Sequence, residues 1–175
     1  MFSAAYEGLA SMKNAVLRRF QPNRDTVVGL WDRVRRIPGG PRIFSKIVGR
    51  IAPYTGTIGA QVHRLESGYA YCRLPDQRRI RNHLHSIHAI ALANFIEETT
   101  GLAMVSCMPK GMRGIVTRIE IDYLKKARGD LEAECRAPDV VPGQTNSYRV
   151  QTDVRDAAGD IVASGIAHWR IGPNS

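Results

Sequence analysis

One long apolar stretch, residues 89–104, constrains the fold more than any other part of the sequence. It is long enough for roughly four to five helical turns, and its only charged residues are Glu97 and Glu98. A helix that is apolar on nearly every side must be covered on nearly every side, so this one is predicted to lie at the centre of the domain. Two carboxylates in such a helix need either partners or a chemical role.

The first 52 residues are predicted to form a helical extension. Apolar residues recur there every three or four positions in three segments that Pro and Gly residues separate. The predicted helices are 4–20, a second one that Asp25 or Thr26 would cap and that Pro38 ends, and 42–51. This extension carries most of the positive charge, since ten Lys or Arg residues stand against only three acidic ones.

After residue 53 the pattern is one of strands around a single helix. Alternating residues predict a hairpin of strands 56–65 and 69–74 before the apolar helix. Turn signals separate four further strands, at 115–124, 131–137, 147–156 and 160–171. An antiparallel sheet wrapped around the helix is the simplest arrangement that covers it. The predicted fold class is therefore α+β, with a domain at 53–175 behind the helical extension at 1–52.

The formal net charge of +9 raises the question of an anionic partner. Nucleic acid, an anionic membrane surface and a phosphorylated ligand would each complement the basic helices. Nucleic acid is disfavoured because the basic residues are not interleaved with aromatic ones and no known binding motif is present. The apolar stripes of these helices are expected to pack on the domain, and association with a membrane surface stays open.

The cysteines and histidines give no pattern of a metal site or of disulfides. Cys72, Cys107 and Cys135 are widely spaced, as is typical of a protein in a reducing compartment. The histidines at 83, 85 and 88 lack the spacing of a zinc-binding helix. No segment is apolar enough to span a bilayer, and no signal-peptide pattern is recognised. We therefore expect a cytoplasmic protein with no bound metal or cofactor.

The start of the apolar helix is a predicted anion site. Free N–H groups and the helix dipole favour negative charge there, so the amides of His88, Ala89 and Ile90 would bind an oxyanion, with Asn82 nearby to orient a carbonyl. Glu97 lies nine residues after His88, which places it about 180° away and about 13.5 Å further along the axis. The two side chains can meet only between two antiparallel copies of the helix.

Two interpretations of the glutamates follow from residue type and spacing alone. A buried carboxylate against an apolar wall would have a raised pKa, which suits Glu97 to act as a general base. Alternatively, Glu97 and Glu98 form ion pairs with arginines such as Arg113 or Arg118 and do no chemistry.

Asn82, His88 and Glu97, in a helix that continues Thr100-Gly101-Leu102-Ala103, resemble the signature of hotdog-fold acyl-CoA thioesterases of the phenylacetate-degradation type. The resemblance covers residues 53–172, and the extension is similar to that of a subgroup with unassigned substrates. It implies subunits that join their sheets side by side, in a homodimer or a dimer of dimers, with sites at the interface. Asn82 and His88 would orient the thioester carbonyl, the Ala89 amide would bind its oxyanion, and Glu97 of the other subunit would activate water or attack.

The sequence departs from this signature at two points. Ala89-Ile90 replaces the usual pair of glycines after the histidine, and Gly101 replaces the Ser or Thr that often follows the carboxylate by four residues. The leading hypothesis is hydrolysis of an acyl-CoA, and the alternative is a catalytically weak acyl-CoA or acyl-carrier binding protein of the same fold. CoA then enters as part of the substrate, and its phosphates are expected to contact Arg79, Arg81, Lys125 and Lys126.

Overall fold

A computed structural model describes residues 22–174 as two helices followed by a sheet that wraps one long helix. The helices are α1 (Arg24–Val34), α2 (Gly40–Ile51) and the long α3 (Ala89–Cys107). The strands are β1 (Gln61–Glu66), β2 (Tyr69–Leu74), β3 (Met112–Tyr123), β4 (Leu131–Arg136), β5 (Asn146–Arg155) and β6 (Ile161–Pro173). The predicted order of two strands, one buried helix and four strands is confirmed. The predicted helix at 4–20 lies outside the described residues.

All six strands belong to one antiparallel sheet with the order β1-β2-β4-β5-β6-β3. This order places β3, the strand that follows α3, at an edge of the sheet beside the last strand. The hydroxyl of Tyr123 at the end of β3 donates a hydrogen bond of 3.1 Å to the carbonyl oxygen of Ala89. The start of α3 is therefore tied to the free edge of the sheet.

The helix α3 is buried along most of its length, as its composition predicts. Phe95, Ile96 and Met104 are completely buried against the sheet. Thr99 and Thr100 are buried too, and each hydroxyl donates to the carbonyl four residues earlier, at 2.8 Å and 2.9 Å, so neither needs a partner outside the helix. Within residues 22–174, no helix has the length and hydropathy that crossing a membrane requires.

Several predicted boundaries differ from the structure, and two of the differences have a local cause. Asn23, rather than Asp25 or Thr26, caps α1: its Oδ1 accepts from the N–H of Thr26 at 3.2 Å, while Thr26 Oγ1 accepts from the N–H of Asn23 at 3.0 Å. Thr26 thus completes a reciprocal capping box three residues after the cap. Strand β1 begins at Gln61 instead of residue 56, because Thr55–Thr57 form a 3₁₀ turn.

That turn packs against α2 through a contact between two glycines. A Cβ on Gly56 would lie 2.7 Å from the Cα of Gly49, and a Cβ on Gly49 would lie 2.9 Å from the Cα of Gly56. Only glycine at both positions allows the two backbones to approach so closely. The contact holds the 53–60 segment against α2 and so shapes the surface between them.

We expect Gly56→Ala to lower the free energy of unfolding by about 1–3 kcal/mol, because backbone atoms would have to move to admit the new methyl group. Gly29→Ala is the matched control, since a Cβ at this α1 position meets nothing within 4 Å. It is expected to add up to about 1 kcal/mol of stability through helix propensity. Chemical denaturation measures both changes, and equal stability of the two variants would contradict the proposed close contact.

Candidate active site

His88 is the N-cap of α3. Its Nδ1 accepts a hydrogen bond of 3.1 Å from the N–H of Ile90. Nδ1 must therefore carry a lone pair, which in a neutral imidazole places the proton on Nε2. The side chain is exposed, so the Nε2–H group is a donor that a ligand can reach.

Only one of the three predicted oxyanion-binding amides remains free. The N–H of His88 donates to the carbonyl of Ile80 at 2.8 Å, and the N–H of Ile90 donates to the His88 side chain. The N–H of half-buried Ala89 has no partner within residues 22–174. The prediction of a three-amide site is thus corrected to a single amide, that of Ala89, because the cap and the preceding loop use the other two.

Asn82 organises the loop that leads into α3. Its Oδ1 accepts hydrogen bonds from the N–H groups of Leu84 at 2.9 Å and Ser86 at 3.2 Å, and its own N–H donates to the Ser86 carbonyl at 2.8 Å. The side-chain Nδ2 donates to no group in the described part of the chain. Asn82, His88 and Ala89 therefore bring three unengaged donors to the same end of the helix.

Glu97 and Glu98 lie further along α3, beside an apolar cavity of about 170 Å³. The cavity lies between α3 and the two preceding helices, and its apolar wall comes from Val27, Leu30, Phe44, Ile47, Val48, Ile51, Leu102, Val105 and Trp169. Glu97 is half-buried, whereas Glu98 is only 6% exposed. A carboxyl group beside a cavity of this kind faces little water and much hydrocarbon.

This environment changes the acidity of both groups. Burial raises the pKa of Glu97 above its ordinary value. Burial, and to a smaller extent the neighbouring charge of Glu97, raises the pKa of Glu98 to about 8, so its carboxyl is largely protonated at neutral pH. Neither glutamate pairs with Arg113 or Arg118, and Arg118 pairs instead with Glu120 at 3.4 Å. The interpretation as ion pairs with these two arginines is therefore wrong.

Trp169 explains the glycine at position 101. A Cβ on Gly101 would lie 3.1 Å from Cη2 and 3.2 Å from Cζ2 of the Trp169 indole, so the ring would crowd any larger side chain at this position. The Trp169 Nε1 atom is buried without an acceptor among the described residues. Sequence reasoning missed Trp169 as a cavity residue. A glycine in the middle of a buried helix is a signal of a close neighbour, but only the fold identifies that neighbour.

The four residues predicted to contact CoA phosphates lie in different settings. Arg81 is paired with Asp76 at 2.7 Å, and Lys125 is paired with Asp156 and Asp160 at 2.7 Å and 2.6 Å. Arg79 and Lys126 are exposed and form no ion pair within residues 22–174. The structure does not bring the four together around one ligand-sized space, and their role stays a prediction.

The β3 edge of the sheet carries exposed apolar side chains, and its C-terminal end lies beside the start of α3. The large exposed side chains are Ile115, Ile119 and Tyr123 along β3, Leu124 directly after it and Ile90 in the first turn of α3. Apolar side chains on an unpaired edge strand are commonly covered by another chain. This surface adjoins the three free donors at the helix start.

Comparison with known proteins finds a matching family model, a related sequence and solved structures of similar architecture. The family model described as "Domain of unknown function (DUF4442)" matches residues 40–171. A Halobacterium salinarum protein whose name describes it as a candidate esterase is 30% identical over 122 residues, which is 65% of this chain and 81% of that protein. A crystal structure of a structural-genomics protein aligns with a TM-score of 0.73 and 26% identity, over 85% of this chain and 99% of that one.

More distant structures share the fold. A Pseudomonas aeruginosa protein described as a probable thioesterase aligns with a TM-score of 0.64 and 20% identity, over 79% of this chain and 97% of its own. A Streptococcus pneumoniae hypothetical thioesterase, solved with coenzyme A, aligns with a TM-score of 0.56 and 19% identity, over 67% of this chain and 89% of its own. The predicted hotdog fold, with its sheet wrapped around one helix, is confirmed.

The Gly101–Trp169 contact gives a double-mutant prediction. We expect Gly101→Ser to lower the melting temperature, because the added atoms would lie about 3.1 Å from the indole. The Trp169→Phe substitution removes the contacting ring atoms. In that background Gly101→Ser should leave the melting temperature unchanged or raise it. Thermal unfolding of wild type, the two single variants and the double variant measures the coupling between the two positions. If the changes in melting temperature are additive, the indole does not exclude the hydroxyl.

The buried acid gives a prediction of pH dependence. Because the folded-state pKa of Glu98 is raised from 4.5 to about 8, the folded protein holds a proton that the unfolded chain releases in that interval. Wild-type stability should therefore fall, relative to Glu98→Gln, as the pH rises from about 4.5 to about 8. Asp139→Asn serves as the control, since it removes an exposed carboxylate that forms no ion pair within residues 22–174. Parallel stability curves for wild type and Glu98→Gln would contradict the assignment.

Proposed function

We propose that this chain, which belongs to the family described as Domain of unknown function (DUF4442), hydrolyses the thioester of an acyl-CoA. One observation carries the proposal: free donors at the start of a buried helix occur together with an unpaired, half-buried glutamate beside an apolar cavity further along that helix. The candidate-esterase name of the H. salinarum relative supports hydrolysis, and the CoA in the S. pneumoniae structure supports a CoA ester as the ligand.

The helix start supplies the groups that would polarise the thioester. Its carbonyl oxygen would accept hydrogen bonds from the Ala89 N–H and from Asn82 Nδ2, and His88 Nε2–H is a further donor. These donors sit at the positive end of the α3 dipole, where the developing oxyanion is stabilised. His88 cannot act as a base through Nδ1, because that atom already accepts the Ile90 N–H.

Glu97 would supply the base. Its carboxylate removes a proton from water while the water oxygen bonds to the thioester carbon, and collapse of the tetrahedral intermediate breaks the carbon–sulfur bond. The proton then passes from Glu97 to the departing CoA thiolate, which leaves a free carboxylic acid and a thiol. A pKa raised by burial brings the basicity of Glu97 closer to that needed at neutral pH.

Two copies of the chain would complete the site. Glu97 lies about 13.5 Å along the helix from His88 and on its opposite side, so one helix cannot present both groups to one substrate. Pairing of two chains through the apolar edge that includes Ile119 and Tyr123 would bring two α3 helices together about a two-fold axis. Each site would then take its donors from one subunit and its base from the other.

A second candidate is an acyl-CoA or acyl-carrier binding protein with little catalysis. Two observations favour it. The Trp169 indole would crowd a Ser or Thr at position 101, which holds water in many relatives, and the side chain of Ile90 is 55% exposed at the helix start. Such a protein would bind the same ligand and release no thiol.

Thiol release from a panel of acyl-CoAs tests the hydrolase proposal. We expect Glu97→Gln to reduce kcat by about 10²–10⁴-fold, the usual contribution of a general base, while the exposed Glu66→Gln control keeps wild-type rates. A wild-type rate no higher than that of Glu97→Gln would overturn the proposal. Tight binding of acyl-CoA without turnover would then favour the second candidate.

Subunit mixing tests whether the site is shared. His88→Ala and Glu97→Gln chains are each expected to be inactive, and dimers that contain one of each should regain about one working site of two. Native mass spectrometry would establish that mixed dimers form. If such dimers form but remain inactive, the shared site is wrong.

A further inference from the structure

We propose that a basic cleft on the outer side of α2, which we call the α2 cleft, binds the phosphate groups of the CoA part of the substrate. Four cationic side chains line it: Arg42, Lys46, Arg50 and Arg79. This inference rests on the proposed function for its ligand, but the cleft and its test do not depend on turnover.

The helix α2 separates the cleft from the apolar cavity. Its apolar side chains, including Phe44 and Val48, face the cavity, and Phe44 is only 1% exposed. Its cations at 42, 46 and 50 recur every four residues and so form one stripe, about 12 Å long, on the cleft side. One helix thus offers an apolar wall for an acyl group and a cationic wall for an anion.

The opposite wall of the cleft is held in place by backbone contacts. The segment 53–60 packs on α2 through the Gly49–Gly56 contact, and the two walls enclose about 520 Å³. Gly59 has a φ of +72°, and a Cβ there would lie 2.5 Å from Nη2 of Arg79. The Arg79 guanidinium therefore lies directly beside the backbone of Gly59 on this wall of the cleft.

The positive charge in the cleft is not neutralised by ion pairs within the described residues. None of its four cations forms an ion pair within residues 22–174, and Glu98 is the one acidic residue that lines it. Arg81 and Lys125, by contrast, already have carboxylate partners. Phosphate oxygens bound by several Arg and Lys side chains form short, charge-assisted hydrogen bonds, and they would relieve the mutual repulsion of these cations.

The cleft and the cavity are joined. Thr55 and Glu98 line both spaces, so one extended ligand can lie in the two together. The Oε2 atom of Glu98 is buried at this junction without a partner. A protonated carboxyl is a donor, so Glu98 is suited to an acceptor on the connecting part of a ligand, such as an amide carbonyl.

A CoA thioester has the chemistry that this arrangement requires. It carries an apolar acyl group, a linker with two amides, and a pyrophosphate together with a further phosphate at the far end. A membrane phospholipid also joins apolar chains to a phosphate. However, Phe44 of α2 is buried, and Ile47, Val48 and Ile51 line the cavity, so most of the apolar side of this helix already packs within the protein. The geometry therefore favours the soluble ester.

The test compares two charge-matched double variants of the full chain. Lys46→Ala/Arg50→Ala removes two cations from the cleft, and Arg33→Ala/Arg36→Ala removes two exposed cations from outside it. Calorimetry with unacylated CoA should show at least about tenfold weaker binding for the cleft variant only, because charged hydrogen bonds are lost. Higher salt should narrow the difference between the two variants.

A kinetic comparison separates phosphate binding from catalysis. KM for an acyl-CoA should rise in the cleft variant, whereas KM for the N-acetylcysteamine thioester of the same acyl group, which has no phosphates, should not change. If wild type binds CoA in a cleft-dependent manner but releases no thiol, the hydrolase proposal fails and the cleft assignment stands.

Three results would overturn the assignment. The first is equal CoA affinity in the two double variants. The second is a loss of CoA binding caused by Arg81→Ala/Lys125→Ala and not by the cleft variant. The third concerns phosphatidylcholine–phosphatidylglycerol vesicles: the cleft variant binds them more weakly than wild type does but binds CoA equally well. The cleft would then recognise lipid headgroups.

Discussion

Burial of α3 is the constraint on which the rest of the structure depends. A helix with Phe95, Ile96 and Met104 fully buried must be enclosed, and the sheet covers one side of it while α1 and α2 cover another. Because Glu97 and Glu98 lie on the side toward those helices, their carboxyl groups are desolvated, and neither forms an ion pair in the described part of the chain. An ionised carboxylate in such a place is costly, and the raised pKa of Glu98 is the result.

The start of α3 shows how capping limits chemistry. The side chain of His88 is fixed by its bond to the Ile90 N–H, and protonation of Nδ1 would break that bond. A histidine in this position is a donor through Nε2 and not a proton acceptor. If the site performs hydrolysis, the base must come from elsewhere, and the uncompensated Glu97 is the nearest acid in the sequence that is both partly exposed and raised in pKa. Because His88 and Glu97 lie far apart on one helix, the proposed site takes its donors from one subunit and its base from the other.

Much of the fold could be predicted from the sequence, because hydrophobic periodicity is a local property. The long apolar run, the hairpin and the four later strands were all recognised from spacing alone. The errors were also local in origin: Asn23 is as good a cap as Asp25, and Gly56 bends the chain against α2 instead of extending β1. The family resemblance directed attention to Asn82, His88, Ala89 and Glu97, and their roles remain predictions.

What could not be predicted depends on contacts between distant parts of the chain. Gly101 was recognised as a departure, but its cause is the indole of Trp169, which arrives from the last strand. The His88 and Ile90 amides were counted as free because their partners depend on how the preceding loop folds. The α2 cleft needs Arg79 from the segment after β2, and no spacing within α2 reveals it.

The basic extension gains a more specific interpretation from the way α2 is used. Amphipathic basic helices are often membrane-binding, since an apolar face inserts while cations meet lipid headgroups. In α2 most of the apolar face already packs within the protein, because Phe44 is buried and Ile47, Val48 and Ile51 form part of the cavity wall. The cations at 42, 46 and 50 lie on the cleft side of the helix, where Arg79 also lines the cleft. A ligand whose anionic part fits between the two walls of the cleft, and whose other part continues past Glu98 into the cavity, matches that placement better than a planar membrane surface does.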